Sequence, residues 1–190
     1  LKNNFEKKIR ISILSSFTLN GIEEIFQVKC DEKNISCNIC LGGYNQYNQE
    51  ILDPHSQLYQ FQPNLTFLIL DTRSILDDLW HFPYSIDEKQ RQNFIEKKFK
   101  EIQNLIIIFL KNSNSKLIIS NFFIPTISNY GIFETKSNFG LQKMINTLNN
   151  NLQDYIQNLD SVYLFDMNGF ISRHGENNVF DPKQFLFGDI

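Results

Sequence analysis

Two adjacent serines, Ser15 and Ser16, close the apolar run that begins at Ile9, and a hydroxyl in that position is a candidate nucleophile. Serine attacks a carbonyl only when a base takes its proton, and the base must be oriented by a third group. Donors must also face the oxygen on which negative charge builds. The chain carries some of these parts. Gly42 and Gly43 close a second apolar run, Asp71-Thr-Arg73 follows a third, and Asn121 ends a fourth. The histidines are His55, His81 and His174, each expected in a loop, and His174 within Ser172-Arg-His-Gly175 is the one that could stand in as a base. Asp181-Pro-Lys-Gln184 has the spacing of an Asp–His pair with glutamine where histidine is wanted. Glutamine cannot take a proton, so the candidate catalytic set is Ser15, Ser16, His174 and Asp181 without a convincing base.

Other chemistries fare less well. No glycine-rich phosphate loop of either common spacing occurs, so a nucleotide cradle is unsupported. Asp71 and Asp166 each follow a strand-like run, but no histidine or carboxylate cluster accompanies either, and helix or loop capping is the simpler role. No metal site is expected. Arg73 beside Asp71 is either an internal ion pair or a grip for a phosphate or carboxylate, and the pair is the simpler reading. Cys30, Cys37 and Cys40 are an odd count with a single C-x-x-C. On a strand Cys37 and Cys40 would face opposite ways, so free thiols and, by default, a cytoplasmic home are expected.

The elements that must position these residues follow from periodicity. Ile9–Ser15, Ile35–Leu41, Leu65–Leu70, Lys116–Asn121 and Ser161–Asp166 read as strands. Gly21–Cys30 reads as a helix with Ile22, Ile25 and Phe26 on its apolar side. Ser85–Asn112, opened by a Ser85/Glu88 capping box, and Gly140–Leu159 read as the long helices. Gly42–Pro63 is too long for a plain turn and rich in groups that stack and hydrogen-bond. Its Gly42, Gly43, Tyr44, Asn45, Gln46 and Tyr47, with Asp71, Arg73 and Asn121, are the candidate ligand- or partner-binding residues. Strands alternating with helices imply a three-layer α/β/α sandwich around a mostly parallel five-stranded sheet, with ligands beyond the carboxyl ends of the strands. A chain of 190 residues suits one domain, 1–190. Hydrophobic content of 42% and charged content of 21% suit a globular protein, while a net charge of -3 and a pI near 5.6 argue against nucleic acid. Leu1–Arg10 lacks the apolar core of a secretory leader, and Leu105–Leu110 is far too short to span a bilayer.

A polar group after each strand resembles the SGNH-type hydrolases, flavodoxin-like folds with serine, glycine and asparagine after successive strands and Asp-x-x-His near the end. Here Asp71 replaces the asparagine and Gln184 the histidine. The string Gly43-Tyr-Asn-Gln-Tyr-Asn-Gln-Glu-Ile-Leu-Asp53, followed by Ser56-Gln-Leu-Tyr59 and Phe61-Gln-Pro63, resembles the N-terminal domain of FkbH-like proteins of the HAD superfamily, subfamily IIIC. That resemblance implies an SGNH-like domain ahead of a HAD domain, which would hold the Mg²⁺ and the nucleophilic aspartate; no Asp-x-Asp occurs in this chain, so no cofactor is expected within it. It further implies glyceryl or acyl transfer in secondary-metabolite or polysaccharide biosynthesis, with an acyl carrier protein or the HAD domain as partner. Three readings follow: a non-catalytic docking domain, a divergent esterase or acyl hydrolase using Ser15 or Ser16, or a module that binds a small phosphorylated acid through Arg73 and Asn121.

Overall fold

The computed structural model describes residues 7–180 of the chain. Among these residues five strands, β1 (Lys7–Ser15), β2 (Ile35–Leu41), β3 (Leu65–Ile69), β4 (Lys116–Ser120) and β5 (Val162–Phe165), form one sheet in the order β2-β1-β3-β4-β5. All neighbours are parallel, with Ile13 facing Leu41 on one side and Phe67 on the other. Parallel pairing requires a crossover between successive strands, and the intervening helices supply it. The chain first moves from β1 outward to β2 and then returns past β1 to β3. This reversal makes the β1/β3 junction the switch point of the sheet, where a crevice is expected.

Alternation along the strands divides the core in two. Leu14, Leu68, Leu70, Leu117, Ile119 and Val162 face the larger cluster. It is covered by α2 (Tyr47–Leu52), α3 (Gln57–Phe61), α4 (Thr72–Leu76), α5 (Asp78–His81), α6 (Glu88–Asn112) and α7 (Leu141–Ile156). Ile11, Ile13 and Cys37 face a smaller cluster covered by α1 (Ile22–Asp31) through Ile22, Phe26 and Cys30. Helices therefore lie on both faces, and the fold is the three-layer α/β/α sandwich. Two short helices, α8 (Met167–His174) and α9 (Glu176–Val179), end the described chain.

Three local expectations need correction. Ile25 is exposed, because α1 meets the sheet through Ile22, Phe26 and Cys30 instead. The capping box of α6 is Asp87 with Gln90, their side chains bonded reciprocally to each other's main-chain N–H. Ser85 instead lies in a 3₁₀ turn, where its hydroxyl donates to the Phe82 carbonyl. Of the histidines, His81 ends α5 and His174 ends α8, so only His55 sits in a turn.

Candidate functional site

Ser15 and Ser16 end β1 at the switch point and are each only 3% exposed. The Ser15 hydroxyl donates to the Phe17 carbonyl two residues on. The Ser16 hydroxyl accepts from the Asp71 N–H at 2.8 Å, and the Ser16 N–H donates to the Ile69 carbonyl. These bonds stitch the end of β1 to the end of β3. Among the described residues no imidazole hydrogen-bonds to either serine: His174 lies against the Phe170 ring, centroids 4.6 Å apart, at the far end of α8. Asp181 and Gln184 lie outside the described residues.

Asp71 and Arg73 form the ion pair. The Asp71 carboxylate accepts from the Arg73 N–H at 2.7 Å, capping α4, and both its oxygens receive the Arg73 guanidinium. The guanidinium also lies 5.2 Å from the centre of the Phe180 ring. Asn121, just beyond the neighbouring strand β4, is engaged at both ends of its amide. Its Nδ2 donates to Asp166 and its Oδ1 accepts from the Asn168 N–H. Asp166 in turn caps α8 by accepting from the Gly169 N–H, and those two donors hold its carboxyl below the usual carboxylate range. Asn149 and Asn168 continue the pattern on the main chain of Phe122 and Ile124. A row of asparagines thus satisfies the backbone just beyond β4, where no strand partner remains.

The Gly42–Pro63 stretch folds as structure of its own. Gly42 still pairs with β1, donating to Ile13, and a Cβ there would stand 2.7 Å from the Leu14 side chain. Tyr47 turns inward and is buried with Ile51 in the larger cluster, and burial raises the Tyr47 phenol. Glu50 receives the Leu58 N–H, and Tyr59 donates to the Ile51 carbonyl. Gly43, Tyr44, Asn45 and Gln46 stand exposed ahead of α2, with Asn45 at φ 52, and Asn48, Gln49, Leu52 and Asp53 are exposed as well. Tyr47, Glu50 and Ile51 of the distinctive string therefore hold α2 to α3 and the core, while the rest of it faces outward.

The strand ends enclose a cleft of about 260 Å³ lined by Ser16, Phe17, Tyr44, Arg73, Ser74, Asp77, Asp78, Trp80 and His81. Sequence reasoning named Ser16, Tyr44 and Arg73 but missed the others. His81 and Trp80 arrive through the break between α4 and α5, where Asp77 adopts φ 53 and ψ -135, a conformation costly for a residue with a Cβ. No residue pattern announces such a break. Among the described residues no three of His, Cys, Asp and Glu come together as metal ligands, and no helix is long and apolar enough to cross a membrane. Cys30, Cys37 and Cys40 are free.

The FkbH N-terminal domain family matches residues 10–188. The N-terminal part of the Bacteroides fragilis protein BF1531, containing a phosphatase domain and complexed with Mg, has a TM-score of 0.80 at 17% identity, over 97% of this chain and 47% of that one. This chain therefore spans about half of that relative's length. The lipase Lip_vut3 from goat rumen metagenome has a TM-score of 0.51 at 8% identity, over 85% of this chain and 81% of its own. Both likenesses are of fold. No curated protein matches the sequence.

Proposed function

We propose that this chain, which belongs to the FkbH N-terminal domain family, is a non-catalytic accessory domain of an FkbH-like protein. It would hold either an acyl carrier protein or a phosphatase-type HAD domain while a glyceryl or acyl group is handled by that other domain, whose Mg²⁺ stays outside this chain. The observation that carries the reading is the state of the two serines. Ser15 and Ser16 are buried, and their hydroxyls are bonded to main chain at the β1/β3 junction. A nucleophile needs a base within hydrogen-bond reach, and those hydroxyls tie two strands together instead. Calorimetric titration of the chain with a carrier protein and with a phosphatase-type fragment tests the reading: heat with either supports it, and silence toward both removes it.

One observation favours a second reading, a divergent esterase. Ser16 and His81 line the same cleft, and a shift of the α5 end would bring an imidazole toward the hydroxyl. Turnover of a short-chain nitrophenyl ester that Ser16→Ala abolishes supports the esterase, whereas turnover no faster than buffer removes it. Binding of a small phosphorylated acid has less support, since Asp71 holds Arg73, and Asp166 with Asn168 holds Asn121.

A further inference from the structure

The most exposed large apolar side chains among the described residues belong to one loop at the carboxyl edge of the sheet. Ile127 is 81%, Ile132 85% and Phe133 73% exposed. A loop free to collapse would fold such side chains inward, because removing apolar surface from water is favourable. This loop is instead pinned from beneath. Glu134, itself buried, accepts from the hydroxyls of Tyr84 and Ser128 and from the Gln142 N–H at the start of α7. Tyr130 meets the Tyr84 ring edge to face, centroids 4.3 Å apart, and Arg91 lies over the other side of the cluster, bonded to the Phe139 and Ile86 carbonyls. Ser128 and Glu134 of the loop point in, while Ile127, Ile132 and Phe133 point out. Such preorganisation lowers the ordering cost of docking, and exposed apolar clusters of this kind mark interaction surfaces.

The last described residues return to the same edge. Thr126, the residue before Ile127, donates through its N–H and hydroxyl to Glu176 of α9. Phe180 then packs on Phe123, centroids 4.8 Å apart. A domain joined beyond residue 190 would be tethered to this edge through residues 181–190, which raises its effective concentration at the loop. The Bacteroides fragilis relative contains a phosphatase domain in a chain about twice as long as the region this fold matches.

We infer that Ile127, Ile132 and Phe133 are the seat of a phosphatase-type domain carried on the same polypeptide, docked through an apolar patch of its own. This rests on the accessory-domain reading and chooses between its two partners for this surface. The test compares hydrogen exchange in the polypeptide of the complete reading frame with exchange in the 190-residue chain. In the longer protein the amides of residues 127–136 should exchange at least about tenfold more slowly. Ile132→Ser with Phe133→Ser should remove that protection while leaving the melting temperature of the 190-residue chain unchanged. A reading frame without a phosphatase-type domain overturns the inference, as does unchanged exchange over 127–136. Protection that grows with the concentration of the 190-residue chain alone assigns the loop to a second copy, and protection that needs added carrier protein assigns it there; either result overturns it too. Slowed exchange at Gly43–Gln46 but not at the loop overturns this surface and leaves the accessory reading standing. No slowing anywhere, together with calorimetric silence toward a carrier protein, overturns both.

Discussion

At the scale of single residues, the two serines are distinguishable by what they hold. Ser16 supplies the acceptor for the Asp71 N–H across two strands, whereas Ser15 only closes a local turn onto Phe17. Ser16→Ala leaves a half-buried donor without its partner and should cost about 1–3 kcal/mol, while Ser15→Ala should cost about 0.5–1.5 kcal/mol. Urea unfolding of both variants measures the difference, and equal costs would contradict it. Cys37 offers a second residue-scale prediction. Burial, with its hydrogen-bonded neighbour Cys30 second, pushes its thiol up to about 12. A raised folded value favours the neutral thiol, so this contribution to stability is complete below the ordinary thiol range of about 8.5 and is lost as pH rises toward 12. Native protein at pH 8 should therefore leave Cys37 unmodified by iodoacetamide, and mass mapping should find it alkylated only after unfolding. Alkylation at the pace of a free thiol would contradict the burial.

At the scale of elements, helix starts decide how the strand ends are held. α7 begins at Gly140, which has no side chain to cap it, and the buried Glu134 receives the Gln142 N–H in its place. A Cβ on Gly140 would stand 2.6 Å from the Tyr84 hydroxyl and closer still to Glu134. Gly140→Ala should consequently destabilise by about 1–3 kcal/mol, despite alanine's better helix propensity, and a gain in stability would refute the packing. α8 begins at Asp166, so Asp166→Ala should cost about 0.5–2 kcal/mol near neutral pH. Its carboxyl is held low by the Gly169 and Asn121 donors. The contribution is present above the ordinary carboxylate value and lost as pH falls through the lowered one, so wild-type and variant melting temperatures should converge below about pH 4. A constant gap down to pH 2 would count against it. α7 was legible from its apolar spacing, as were all five strands from their apolar runs, whereas α8 was not, its His174 being expected in a loop. The start of α6 was not: Ser85/Glu88 and Asp87/Gln90 both have the box spacing, and Pro83 favours a 3₁₀ turn that commits Ser85 to Phe82.

At the scale of the whole molecule, the sheet order places Ser16, Tyr44 and Arg73 around one cleft at the switch point and leaves Asn121 beyond the next strand, β4, tied to Asp166. The first grouping could be read from residues that follow apolar runs. The second grouping, which adds His81 and Trp80, depends on the Asp77 break and is a property of the assembled chain alone. The distinctive string after Gly43 marked the family, and its roles divide: Tyr47, Glu50 and Ile51 fold α2 onto α3 and the core, while Tyr44, Asn45, Gln46, Asn48 and Gln49 stay exposed. What the fold offers is a switch-point cleft whose two serine hydroxyls are committed to the backbone, and an apolar loop held open at the carboxyl edge of the sheet. The intact mass of the protein after exposure to a fluorophosphonate ester, which bonds covalently to activated serines, tests that account most directly. The mass should stay unchanged, and addition of one probe group mapped to Ser15 or Ser16 would show a working nucleophile and contradict the account.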